Sequence, residues 1–362
     1  MYENNSVGMA TAVPALPSTA LEHLHSGSPD VAKQTLKLMA RGTPHVRLIP
    51  PSAFHSDLDM KSVMKLRKLL VRDATIAVIP ECVRDFSSVR SPAIYAETPE
   101  SAYLGDLHDA TCAHGDELWF DVEDLQKTAQ ACLSKLKDKN AWCQVVNDVL
   151  AVSMRLDLKE TSFEINNIQS QSIDARFLPS IPIDTRVEKI DSRSDIAIAM
   201  SEQNDGRDML LSPMSDAYTS TMCLPCAIEV ERHGGSAEEA ELRLMIWQAS
   251  ALSHLQYLHN FCGDQALPVP PVVGWTVVGH TWSFYIAWKD DRLGNVTTMG
   301  PFSPGNAGTS DAVSIFVLLS IWKKLFRWLE CEYYPAYCKL LQGGIDSFEQ
   351  GERKPGCSYY DE

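Results

Sequence analysis

No apolar run in this chain is long enough to span a bilayer. The longest, Ala312 to Ile321, is bounded by Asp311 and by Lys323-Lys324, which fits a buried helix. The N-terminus lacks a positively charged start followed by an apolar core. No secretory signal is therefore expected, and the protein reads as intracellular, nuclear or cytoplasmic, with no membrane partner. The ten cysteines lack metal-finger spacing, because the C-x-x-C of Cys223 and Cys226 has no second pair at zinc-ribbon distance. Buried free thiols are expected instead. A phosphate-cradling glycine loop, a Ser/His/Asp order and an HExxH pattern are all missing. Basic charge is also scarce: 32 Lys and Arg stand against 47 Asp and Glu, a net charge of −15. Bulk attraction to nucleic acid is thereby disfavoured, although a local basic groove is compatible with it.

What remains is ordinary for a soluble globular chain, with 362 residues, 45% hydrophobic and 22% charged. That length suits one large domain or two modest ones. Residues 1–29 are rich in Ser, Pro, Ala and Asn without periodicity and are expected to form a disordered tail. Residues 30–120 read as a helical and loop extension, with helices at Asp30–Arg41 and Met60–Val71, a break at Pro50-Pro51, and an acidic loop from Ser87 to Asp121. A core domain is expected over 121–342 and a flexible tail over 343–362.

Within the core domain, Val122 to Leu156 has helical spacing interrupted near Asp138-Lys139-Asn140. Strands follow at Ser162–Ser170, Asp195–Met200 and Cys226–Glu231, with Pro179 and Pro182 closing a loop between the first two and a polar excursion at Ser201–Pro213. Ser236 and Glu239 form a capping box for a helix running to His259. A hairpin across Gly279-His280-Thr281, a short strand at Val296–Met299 and a closing helix from Ser310 to about Leu341 complete the order. Helix, three strands, helix, two strands and helix make an α/β core with one mixed sheet.

The chain is organised around Ile228-Glu229-Val230-Glu231-Arg232-His233-Gly234-Gly235. Period-two alternation puts Ile228 and Val230 on one face of the strand and Glu229 and Glu231 on the other. Two adjacent carboxylates on one face are costly unless a cation lies between them. Asp195 opens the preceding strand; if the strands are neighbours, three carboxylates converge at one end of the sheet. Such a group suits a hard cation, which is held by carboxylates, waters and phosphate oxygens. Other polar residues have plainer readings. Asp148 fits an exposed helical position, His280 and His233 fit turns, and Asp216 with Tyr218 fits a loop bonded to itself. Trp247, Trp275, Trp282 and Trp288 fit core packing.

Several runs together resemble the fungal PD-(D/E)XK nuclease-like domain proteins. They are Trp142-Cys143-Gln144-Val145-Val146, Gln169-Ser170-Gln171-Ser172-Ile173-Asp174, and Ser212-Pro213-Met214-Ser215-Asp216-Ala217-Tyr218-Thr219-Ser220. Ile228-Glu229-Val230-Glu231 and Gly274-Trp275-Thr276-Val277-Val278-Gly279-His280 complete the set. The likeness covers roughly 120–340, and more weakly Leu66–Phe86. It implies a restriction-endonuclease-like α-β-β-β-α-β core, with the motif aspartate at Asp195 and the acidic residue of the (D/E)-x-K element at Glu229. The motif lysine would fall at 231, where this chain has Glu231; Arg232 is adjacent, but alternation points it to the opposite face. Arg243 stands on the following helix where relatives often carry glutamine. Glutamate in the lysine slot takes the local charge from about −1 to about −3, so the site demands a cation more strongly.

Two functions follow from the resemblance. In the first, Asp195, Glu229 and Glu231 bind Mg²⁺ or Mn²⁺ and hydrolyse phosphodiesters in nucleic acid, with Glu231 as a third ligand or a base. In the second, Arg243 neutralises the cluster and leaves a degenerate, cofactor-free fold that binds a partner, protein or nucleic acid, or regulates. Arg243 and Arg232 are the candidates for neutralising or substrate contacts. A third reading is a small-molecule enzyme reusing the acidic pocket.

Overall fold

The computed structural model describes residues 29–349 apart from 54–60, 73–76, 91, 93–95, 97, 105–114, 157–162, 184–185, 201–209, 262–267 and 291–293. The expected N-terminal tail up to residue 28, most of the excursion after Met200, and 350–362 of the expected C-terminal tail lie outside the described residues.

One seven-stranded sheet runs through the molecule. Its strands are β1 (Val46–Ile49), β2 (Phe163–Asn167), β3 (Ile196–Met200), β4 (Cys223–Glu231), β5 (Val272–Val278), β6 (Thr281–Lys289) and β7 (Val296–Phe302). Their spatial order is β1-β7-β6-β5-β4-β3-β2. The β1/β7 and β4/β5 pairs are parallel and the others antiparallel. The principal helices are α1 (Pro29–Met39), α2 (Gly115–Ser134), α3 (Lys139–Arg155), α4 (Ala237–Phe261), α5 (Ala312–Trp328) and α6 (Tyr334–Glu349). The segment from α3 through β2, β3, β4 and α4 to β5 has the α-β-β-β-α-β order. This is the mixed α/β architecture of a restriction-endonuclease-like fold.

β4 lies between β3 and β5 and is buried almost throughout, which explains its apolar start at Cys223-Leu224. Ile228 pairs with Trp275, and the Trp275 ring stacks on Trp322 of α5 at 4.7 Å. That face of the sheet is closed by aromatic packing. The opposite face receives α4, which buries Leu244, Ile246 and Trp247 and is itself contacted by α1 and α6. A helix enclosed on several sides accounts for the nearly all-round apolar character of α4.

Gly274 allows this helix to approach. A Cβ there would fall inside van der Waals contact with Leu244 Cδ1 and lie 3.1 Å from Gln248 Nε2. Gly274→Val is therefore expected to cost about 1–3 kcal/mol through overpacking. The measurement is the urea midpoint at constant m-value, and an unmoved midpoint would show that α4 can retreat freely.

The structure corrects several expectations. β4 begins at Cys223, three residues early and across Pro225; the β3/β4 register shifts between Ile198 and Met200, the kind of irregularity that admits a proline inside a sheet. The loop expected at Pro179–Pro182 is instead a hairpin, Ser180–Ile183 with Arg186–Lys189. The acidic stretch 87–121 is not wholly loop, since a helix covers Arg84–Arg90 and α2 starts at Gly115. The closing helix is interrupted by a π turn at Leu329–Tyr333 just before Pro335, whose ring nitrogen cannot donate to the ladder. It resumes as α6 and continues to Glu349, beyond the expected end. Finally, β1 comes from the N-terminal extension and joins the central sheet, a strand that the Pro50-Pro51 break had obscured.

Candidate functional site

β3 and β4 are neighbours, paired Ile196 to Ile228, so Asp195 at the entry to β3 lies beside Glu229 and Val230. The Val230 N–H donates to Asp195 Oδ2 at 2.8 Å, and the Gln169 amide donates to Oδ1 at 3.2 Å. Glu229 and Glu231 share the face that α4 covers. The structure thus brings together Asp195, Glu229 and Glu231, the three carboxylates named from the sequence.

It also brings cations to them. Arg243, nearly two turns into α4, donates from Nε to Glu229 Oε2 at 3.0 Å and from its two Nη atoms to Glu231 and Glu239. Glu239 is four residues earlier on the same helix, so this last contact is an ordinary i,i+4 pair. Lys139 supplies a second cation, its Nζ 2.8 Å from Asp195 Oδ1 and 3.9 Å from Glu231 Oε1. Sequence reasoning missed Lys139. It opens α3 directly after the N-cap Asp138, whose carboxylate accepts from the Ala141 N–H, and the interruption in helical spacing there gave no hint that its first residue faces a strand end. Arg232 is exposed and takes no part in these contacts.

Burial sets the electrostatics. Glu229 is fully buried, and its carboxyl is pushed up to about 7 by loss of solvent and then by Asp195; Arg243, Ser194 and Lys139 pull the other way. One oxygen, Oε1, is enclosed without a hydrogen-bond partner among the described residues. Burial alone would lower the Arg243 guanidinium, but Glu229 and Glu231 outweigh it and hold it firmly charged. Cys143, behind Gln169, is pushed up to about 12 by burial and by Asp195, and stays a thiol.

Beside this cluster opens a cleft of about 500 Å³. Its charged lining is balanced, with Lys139, Arg193 and Arg243 against Asp191, Asp195 and Glu239. The remaining candidates have local roles. Asp148 accepts from Gln144 on its own helix, and Asp216 accepts from the Tyr218 and Thr219 N–H groups of its own loop. His280 bonds Thr309 Oγ1 at 3.0 Å and packs edge-on against Trp142. Cys223 and Cys226 are buried within β4, and neither is in a disulfide among the described residues.

Magnesium or manganese would need open oxygens on one or two of the carboxylates, with waters and substrate oxygens completing its shell. Asp195 commits one oxygen to a backbone N–H and the other to Lys139 and Gln169, while Glu229 and Glu231 each face Arg243. Among the described residues, no three His, Cys, Asp or Glu side chains are gathered so as to hold a metal ion. As paired here, both Asp195 oxygens are taken, and Glu229 has only Oε1 unpartnered among the described residues, in an enclosed position beside the Arg243 guanidinium.

Comparison with known proteins adds the lineage. No curated protein matches the chain. A family model described as the PD-(D/E)XK nuclease superfamily matches residues 88–334, which begins ahead of α2 and ends at the start of α6. With the fold, the strand order and most of the chain's length accounted for, the chain belongs to the PD-(D/E)XK nuclease superfamily.

Proposed function

We propose that this protein is a catalytically degenerate PD-(D/E)XK fold that serves as a binding module, with Arg243 fixed where relatives gather metal. The observation that carries this reading is the Arg243 bridge between Glu229 and Glu231, made while Lys139 is bound to Asp195. An arginine cannot be deprotonated near neutrality and spends its planar fork on carboxylates, so it neutralises this cluster without activating water. The balanced cleft lining points the same way, because a long polyanion needs an excess of cations. The runs that resemble fungal PD-(D/E)XK nuclease-like domain proteins support a fungal origin for the chain.

A second reading, metal-dependent phosphodiester hydrolysis, has one observation in its favour. Lys139 returns an amine to the carboxylates whose strand lacks the motif lysine. Calorimetry with Mg²⁺ and Mn²⁺ on wild type and Glu229→Ala, beside cleavage assays on single- and double-stranded nucleic acid, separates the two. The expected result is no binding at millimolar metal and no cleavage. Metal binding and cleavage that both vanish in Glu229→Ala would replace the binding reading with the hydrolytic one.

A further inference from the structure

The seven-stranded sheet ends on β1 at one edge and on β2 at the other. The first edge is blunted. β1 carries an exposed Arg47 and runs into Pro50-Pro51, and both charge and proline discourage further pairing. The second edge is Phe163-Glu164-Ile165-Asn166-Asn167, with no proline, no lysine and no shift in its register with β3.

One hydrogen bond settles which main-chain groups of β2 face outward. The Ile168 N–H donates to the Asp195 carbonyl at 3.0 Å, in the register that pairs Asn166 with Ala197 and Glu164 with Ala199. Hydrogen-bonded and non-hydrogen-bonded pairs alternate along an antiparallel ladder. Glu164 and Asn166 therefore spend their N–H and C=O groups on β3, while those of Phe163, Ile165 and Asn167 point away from the sheet. These outward groups have no main-chain partner among the described residues.

A row of this kind is a template for one more strand, and here it is self-complementary. A two-fold axis through Ile165 sets that residue against its own copy and Phe163 against Asn167 of the second copy. Every outward N–H then meets an outward C=O, about six bonds in all. Glu164 faces Asn166 of the second copy in a close pair, a carboxylate against a neutral amide. An axis at Glu164 would instead oppose two carboxylates, and one at Asn166 would lose about two of the bonds.

We propose that this protein forms a two-fold dimer through β2, joining the sheets of two copies of the chain into one. Because the paired strands run oppositely, the two Asp195 residues lie at opposite ends of the joint, and each copy keeps its own carboxylate cluster. The pairing is independent of the Arg243 closure.

The test is sedimentation velocity of the full chain between about 1 and 100 µM, with amide exchange at both ends of that range. Wild type is expected to shift from 40.2 kDa to twice that mass, while the Ile165 N–H passes from fast to slow exchange. Ile165→Pro removes an outward N–H and no bond to β3, so it should abolish the dimer. Asn166→Glu opposes a carboxylate to Glu164 at two places in the joint and should weaken the dimer by about fivefold or more. Adding Glu164→Lys to Asn166→Glu should restore it, a rescue that separates lost pairing from lost fold. A dimer indifferent to Asn166→Glu overturns the proposal, since another surface would then hold it. A chain that stays monomeric also overturns it. In that monomer, slow exchange at Ile165 would show the edge covered from within the chain, and fast exchange would leave it open to a strand of a different protein.

Discussion

Arg243→Met is expected to destabilise the folded chain by about 3–5 kcal/mol near pH 8, because it strips the principal cation from a fully buried carboxylate and leaves the charge uncompensated. The loss should depend on pH in a defined direction. Glu229 has a folded pKa of about 7 against an ordinary 4.5, so the fold retains a proton that the unfolded chain gives up. Its contribution is fully present below about 4.5, declines as pH rises toward 7, and is gone above that. Arg243 is one of the groups pulling this pKa down. Without it the value rises further, and the decline extends to higher pH. Urea midpoints of wild type and Arg243→Met should therefore lie closer together at about pH 6 than at about pH 8.5. A gap that stays constant across that range would mean the guanidinium contributes packing and not charge.

The second large effect should come from exchanging two residues at once. Glu231→Lys alone places an ammonium beside Arg243 and Lys139, and Arg243→Gln alone leaves Glu229 and Glu231 facing each other; each should be destabilising. Made together, they return a lysine to the strand and a neutral amide to the helix, the pattern expected of relatives. The pair should couple favourably by about 1–3 kcal/mol in a double-mutant cycle. The doubly substituted protein should also acquire Mg²⁺ or Mn²⁺ binding at least about tenfold tighter than wild type, because Glu229 is no longer held by the guanidinium. Additive destabilisation with no gain of metal affinity would show that more than this pair closes the centre.

Much of the arrangement was legible in local sequence. Alternation through Ile228–Glu231 placed Glu229 and Glu231 on one strand face, and the capping box at Ser236 gave the start of α4, from which Arg243 lies close to that face. What escaped was set by contacts distant in sequence. Lys139 meets Asp195 only because β3 and the first turn of α3 end at the same edge of the fold, and no periodicity within α3 encodes that meeting. β1 has four residues, and its strand character comes from β7. The early start of β4 was hidden by Pro225, a residue that argues against a strand unless a register irregularity accommodates it.

The pairing of β1 with β7 has a consequence for biosynthesis. Arg47 bonds the Thr297 hydroxyl across 250 residues of chain. At roughly 5–20 residues per second of translation, the earliest strand of this sheet leaves the ribosome about 10–50 s before its partner exists. Throughout that interval Val46, wholly buried in the finished fold, has neither the parallel ladder of β7 nor the cover that comes with it. The sheet is therefore closed only by strands made far apart in time, and the apolar side chain of Val46 lacks this cover until Val296 has been synthesised.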